Sequence, residues 1–188
     1  MKVKRCSWGN SKNLVYQYYH DKEWGKLNLN SNDLYEMLVL ESFQSGLSWE
    51  TILNKRENFR AAFANFDYHK VAKFNEQDFK KLMQNKGIVR NRLKINAAIN
   101  NAKVLLKMEK EGQTLEQFLI KFIPEPIINH PQKVEDVPAS DELSKQVSRK
   151  MKKLGFKFVG PVTIYSFLQA VGLINDHIDS CSFKDGGR

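Results

Sequence analysis

Gly155-Phe156-Lys157-Phe158-Val159-Gly160-Pro161 is the stretch on which the fold turns. Just upstream, over residues 141–154, Leu143, Val147, Met151 and Leu154 recur at spacings of three and four, the buried stripe of an amphipathic helix. Gly155 can end that helix in a left-handed conformation, and Pro161 suits the first position of a second helix running to Ala170. The reading is helix, tight glycine-flanked turn, helix. Such a hairpin presents backbone N–H groups at a helix start, where they can hold a phosphate oxygen without reading base sequence. Between residues 145 and 157 the segment carries Lys145, Arg149, Lys150, Lys152, Lys153 and Lys157 and no acidic residue. Alone, that run reads as a solvated helix face; the glycine turn and the charge of the whole chain favour a phosphate grip.

Outward from the hairpin the rhythm stays helical. Ile95, Ala98, Ile99, Ala102, Leu105 and Leu106 mark one face of a long helix over 92–112 that Gly112 stops, and Ile52, Leu53, Phe59, Ala62, Phe63 and Phe66 predict another over 51–66. No alternating run competes with them, so the fold class is all-α, with roughly eight to eleven short helices. Residues 25–32 and 124–138 read as loops. The latter holds four of the five prolines and is the only seam between two helical lobes of what is expected to be a single domain, 1–183, followed by a frayed tail, 184–188. A chain of 188 residues with 41% hydrophobic content excludes a disordered tail protein. There is neither an apolar run near the ~18 residues of a membrane span nor the apolar stretch of a signal peptide, so a cytoplasmic protein is expected. Thirty basic against 21 acidic residues leave a formal net charge of +9, which calls for a polyanion, and nucleic acid suits it best.

Three groups of residues can carry chemistry. Both cysteines have a histidine nearby in sequence, Cys6 with His20 and Cys181 with His177, one pair at each end of the chain. Two thiolates and two imidazoles form a tetrahedral set for structural zinc, and the spacing of four between His177 and Cys181 would put both on one helix face. A buried free thiol or a Cys6–Cys181 disulfide would account for the cysteines equally. Within 34–43, Leu34, Met37 and Leu38 place Glu41 on their own face, while Glu36 lies about 140° round the wheel. One of these acids is therefore expected inside, where it needs a purpose or a salt bridge to Lys55 or Arg56. Tyr18, Tyr19, Trp24 and Trp49 flank loops and charges rather than follow a helical stripe, as in a pocket for a flat ring.

Arg5-Cys6-Ser7-Trp8, Tyr19-His20-Asp21-Lys22-Glu23-Trp24-Gly25, Leu40-Glu41-Ser42-Phe43-Gln44-Ser45-Gly46-Leu47-Ser48-Trp49, Gly155-Phe156-Lys157-Phe158-Val159-Gly160, and Asn175-Asp176-His177 with Cys181 together resemble the 3-methyladenine DNA glycosylase I family. The resemblance spans about residues 5–181, with the five motifs in order. It implies a helix-hairpin-helix glycosylase fold whose ends are tied by zinc on Cys6, His20, His177 and Cys181. It also implies that Tyr19, Trp24, Glu41 and Trp49 form the pocket for a flipped alkylated adenine, with Glu41 as the catalytic carboxylate. Leu47 would fill the gap left in the duplex, and the hairpin of Gly155, Lys157 and Gly160 would grip phosphate. The implied activity is base-excision repair by a monomer with no membrane partner. Its substrate is alkylated double-stranded DNA, from which it releases free 3-methyladenine and leaves an abasic site. Methylation at ring nitrogen three leaves a cationic base that departs readily, so the demand is for extrusion and recognition more than for acid catalysis. Asp176, beside a metal ligand, is expected to support that ligand rather than to catalyse. A hairpin module that only binds DNA, or a glycosylase for another damaged base, remain the alternative readings.

Overall fold

A computed structural model describes residues 3–185. Ten α-helices make up most of it: α1 Leu14–Lys22, α2 Ser31–Gln44, α3 Trp49–Asn54, α4 Arg56–Ala62, α5 Tyr68–Val71, α6 Glu76–Gln84, α7 Arg92–Lys110, α8 Leu115–Ile120, α9 Glu142–Leu154 and α10 Pro161–Ala170. The fold class is all-α, as expected from the sequence. Its one sheet among the described residues is a two-residue parallel ladder, β1 Ile127–Ile128 against β2 Ile174–Asn175. Among those residues no helix is long and apolar enough to cross a membrane.

At the centre lies α2, whose residues Leu34 to Phe43 are all buried and which packs against α3, α7, α8 and α10. Asn30 caps its start, accepting from the N–H groups of Asn32 and Asp33. A single hydrophobic cluster extends from Cys6 to Cys181 and includes Ile123, with Val134 and Val137 packed on it. The proline-rich 124–138 segment thus lies on a shared core, and its ladder partner comes from beyond α10. The chain ends meet: the Lys4 N–H donates to Ser182 Oγ at 3.1 Å and the Ser182 N–H to the Lys4 carbonyl at 2.9 Å.

Four expectations need correction. The single helix expected over 51–66 is two helices, α3 and α4, followed by Ala64, Asn65 and Phe66, all left-handed with φ of 52°, 55° and 54°. That turn drives Phe63 and Phe66, both fully buried, into a stack with Phe59, and burial of three aromatic rings outweighs a backbone cost of ~1–2 kcal/mol per left-handed residue. His177 and Cys181 do not share a helix face, because the chain from 176 to 181 is irregular. Both acids of α2 are inside, rather than one: Glu36 and Glu41 are 4% and 5% exposed. Lys184 is not frayed either. It is buried, and its ammonium donates to Asp179 Oδ1 at 2.7 Å and to the His177 carbonyl at 3.0 Å; residues 186–188 lie outside the described part.

Candidate active site

Three helices each contribute a pair of residues at spacing three to one small cavity: Tyr16 and Tyr19 from α1, Glu41 and Gln44 from α2, Ser166 and Gln169 from α10. Trp8, Trp24 and Trp49 complete its lining. The cavity measures about 160 Å³, below the ~300–1,000 Å³ of ordinary small-molecule sites, which suits one flat base and not a nucleotide. All four residues expected in the pocket, Tyr19, Trp24, Glu41 and Trp49, border it. The aromatic walls brace one another edge to face, Trp8 on Trp24 at 4.9 Å and Tyr19 on Trp49 at 5.4 Å between ring centres.

Arg56 and Arg60 do not serve Glu41. Both converge on Glu36, with Arg60 Nη2 at 2.9 Å from Oε1, and Arg56 reaches on to Glu23 at 2.6 Å. Glu41 is left with no hydrogen bond or ion pair among the described residues, and burial raises its pKa to about 8. Burial also raises the Tyr19 phenol well above its ordinary value, and the nearby Glu41 carboxylate adds to this, so Tyr19 keeps its proton. Trp49 Nε1 is shut off from solvent and has no partner among the described residues. The cavity is therefore bordered by an unpaired acid, Glu41, and by the Tyr19 phenol, while the Trp49 indole N–H is enclosed behind the wall.

The last turn of α2 ties this cavity to two surface features. Beyond Glu41, the loop rises through Gly46 (φ +83°) to Leu47, 38% exposed at the tip, before Ser48 caps α3. Lys94, buried on α7, holds that loop by donating to the carbonyls of Phe43 at 2.8 Å and Ser45 at 2.6 Å. Ser42, next to Glu41 in sequence, shares its hydroxyl proton between the Leu38 carbonyl at 2.7 Å and the Phe158 carbonyl at 3.2 Å and so touches the hairpin. In the hairpin, Gly155 caps α9 at φ +100°, Gly160 caps α10, and Phe156 and Val159 anchor the turn in the core. Its carbonyls are occupied: Asn100 Nδ2 donates to Gly155 at 2.9 Å, Asn101 Nδ2 to Lys157 at 3.0 Å, and Ser148 Oγ to Val159 at 2.6 Å. The N–H groups of Phe158, Val159 and Gly160, by contrast, make no hydrogen bond among the described residues. Lys145, Arg149, Lys150, Lys152, Lys153 and Lys157 are all exposed, Lys145 and Arg149 pairing with Glu142 at the start of α9.

At the junction of the chain ends, ligand atoms of Cys6, His20 and Cys181 lie within 4.8 Å of one another, all buried, and could hold a metal ion. His20 Nδ1 is 2.8 Å from Asp21, which Arg5 grips through two nitrogens; this leaves Nε2 directed at the sulfurs. The two cysteines are free thiols rather than a disulfide, and the neighbouring Cys6 and His20 hold the Cys181 thiol below its ordinary range. His177 stands beside the trio and not within it. Its ring packs 4.9 Å from that of His20, with Nδ1 at 2.9 Å from Asn175 Oδ1 and Nε2 at 3.3 Å from the His20 carbonyl. Gly9 must be glycine here, since a Cβ would lie 2.5 Å from the His20 ring.

Sequence reasoning missed Trp8, Tyr16, Gln44, Ser166 and Gln169 in the pocket and the Lys94 clamp. The spacing-three relation of Tyr16 to Tyr19 was the available signal for Tyr16. Asp176 lies apart from the cavity, 2% exposed, with its carboxylate spent on Tyr165, Gln169 and Asn129.

The family model described as methyladenine glycosylase matches residues 8–185. The DNA-3-methyladenine glycosylase of Haemophilus influenzae is 44% identical over 181 residues, covering 96% of this chain and 97% of that protein. DNA-3-methyladenine glycosylase 1 of Escherichia coli is 43% identical over 187 residues, covering 99% and 100%. A crystal structure of a variant 3-methyladenine DNA glycosylase I in complex with 3-methyladenine superposes with a TM-score of 0.92 at 37% identity, covering 98% of this chain and 99% of that one. Sequence matches over nearly the whole length and a shared backbone course thus agree with the motif order and the helical frame, and the chain belongs to the methyladenine glycosylase family.

Proposed function

We propose that this chain, acting as a single domain over residues 1–183, is a monofunctional DNA glycosylase that excises 3-methyladenine from alkylated double-stranded DNA and leaves an abasic site. The observation that carries the reading is Glu41, an interior carboxylate without a counter-charge at the wall of an aromatic cavity the size of one base. A base methylated at ring nitrogen three brings the missing charge with it. Pairing with the cation draws the Glu41 pKa down and leaves a carboxylate that accepts from the exocyclic amine, while Trp49 and its neighbours contribute stacking and cation–π attraction. Unmodified adenine is neutral and leaves the buried acid unpaired, which is the source of discrimination. Water attacks the anomeric carbon as the C–N bond breaks; the bonding electrons return to the ring, the base departs neutral, and the attacking water gives up one proton to solvent and leaves its hydroxyl on the sugar. Asp176 has no part in this step, because its oxygens are engaged elsewhere.

The free N–H groups of Phe158, Val159 and Gly160, with Lys157 beside them, suit phosphate oxygens of one strand, and exposed Leu47 suits the space vacated by the extruded nucleotide. Cys6, His20 and Cys181 would hold a zinc ion with His177 turning in as fourth ligand. Such an ion supplies a structural cross-link between the chain ends, and four protein ligands leave no position for a reactive water. The test is incubation of purified protein with methylated duplex DNA and mass identification of released bases. Release of 3-methyladenine is expected; duplex binding without release would leave a DNA-binding module instead.

A further inference from the structure

Two buried carboxylates of this region stand in opposite states, one at the base cavity and one apart from it. Glu41 borders it unpaired, whereas Asp176 lies behind it with Oδ2 accepting from Tyr165 Oη at 2.8 Å and Gln169 Nε2 at 2.6 Å, and Oδ1 accepting from Asn129 Nδ2 at 2.7 Å. Gln169 belongs to both places, since it is also a lining residue of the cavity. Tyr165, Gln169 and Asn129 all donate to Asp176, and this sets the orientation of the Gln169 amide: Nε2 faces Asp176 and Oε1 is left over. Among the described residues Oε1 makes no hydrogen bond. Trp49 Nε1 is the only polar side-chain atom there that is both unpartnered and wholly enclosed, so Gln169 Oε1, in a residue 8% exposed, retains open surface.

We infer that Gln169 is a specificity residue for the excised base: Asp176 holds its amide with the oxygen toward the cavity, giving the pocket a second hydrogen-bond acceptor besides Glu41. This rests on the glycosylase reading above. A purine with an exocyclic amine at carbon six offers two hydrogens, and two acceptors can take both. A purine with an oxygen at that carbon sets acceptor against acceptor, leaving buried polar groups unpaired, the arrangement that discriminates most strongly in enzyme pockets. Gln169 thus selects the amino purine over the oxo purine, whereas Glu41 selects the cation over the neutral base. Asp176 is a positioning residue, acting through the amide.

Gln169→Leu and Asp176→Asn test this. Leucine removes the acceptor at similar volume. Asparagine can donate as well as accept, so it frees the glutamine amide to turn over and present its N–H₂ instead. Duplex DNA carrying both 3-methyladenine and 3-methylguanine is digested with wild type and each variant, and the two released bases are quantified by mass alongside thermal unfolding and duplex affinity. Wild type is expected to prefer 3-methyladenine, and each folded variant to lose that preference by about tenfold or more while binding undamaged duplex as before. A merely structural effect would lower both excisions together. Should Gln169→Leu fail to fold, Asp176→Asn decides. Unchanged preference in a folded Asp176→Asn protein overturns the inference; a wild type that releases neither base overturns the glycosylase reading and this one with it.

Discussion

Glu41 is buried like Glu36, and the two fare differently because of where the arginines fall. Arg56 and Arg60 sit on one helix, α4, and both reach the Glu36 side of α2, so Glu41 borders the cavity without a counter-charge. Its pKa of about 8, against an ordinary 4.5, means that the folded state holds a proton that the unfolded chain has released throughout that window. Stability from this group is fully present below pH 4.5 and is lost as pH rises through about 8. Glu41→Gln should therefore unfold at the wild-type temperature near pH 4.5 and at an increasingly higher one toward pH 8, as followed by thermal melts across that range. A constant difference at every pH would mean that Glu41 is solvated or paired. The same variant should lose most of its preference for methylated over unmodified adenine, because it keeps the shape of the site and discards the charge.

At the scale of elements, the helix-turn-helix of α9 and α10 combines backbone donors with a basic rim. Capping by Gly155 and the N1 proline could be read directly, since both are local requirements of backbone geometry. Clamping of the turn by Asn100, Asn101 and Ser42 could not, as these partners are separated from it by 55, 56 and 116 residues. Lys157→Ala should weaken duplex binding for all sequences alike and lower the slope of log affinity against log salt by about one, the effect of losing a single phosphate contact. Leu47→Ala should leave that slope unchanged and slow excision in single-turnover experiments. If both variants show the wild-type slope and rate, neither the hairpin nor the loop meets DNA as described.

Across the whole molecule, the first and last segments close on each other at Cys6, His20 and Cys181, and the aromatic pocket leans on that closure. Trp24 packs at 4.5 Å from the His177 ring and Trp8 at 4.7 Å from that of His20, so the residues around the candidate metal are also the back wall of the base cavity. Metal analysis should find about one zinc per chain. Chelation should lower the unfolding temperature and loosen the pocket, raising the Kd for free 3-methyladenine without changing which base is preferred. Protein that is fully folded without metal and equally stable after chelation would make the cluster a plain cysteine–histidine core.

Helical class, hairpin and the unusual acid of α2 were all legible along the chain, because periodicity, glycine and proline placement and residue type act over a few neighbouring positions; the pairing of each cysteine with its own neighbouring histidine did not form, since His20 meets both sulfurs and His177 stands beside them. What required the folded chain is which groups end up without partners. The helical wheel puts Glu36 and Glu41 on different faces of α2 but does not say which finds a counter-charge; tertiary packing gave Glu36 two arginines and Glu41 none. The break between α3 and α4 likewise depended on distant aromatic burial overriding a continuous helical pattern. Gln169 carried no local mark at all, since its orientation is dictated by Asp176, which the chain brings up from beyond the end of α10 through the β1–β2 ladder. Local sequence determines backbone preference, but the free energy of a buried polar atom depends on whichever atoms surround it, and only the closed tertiary structure decides those.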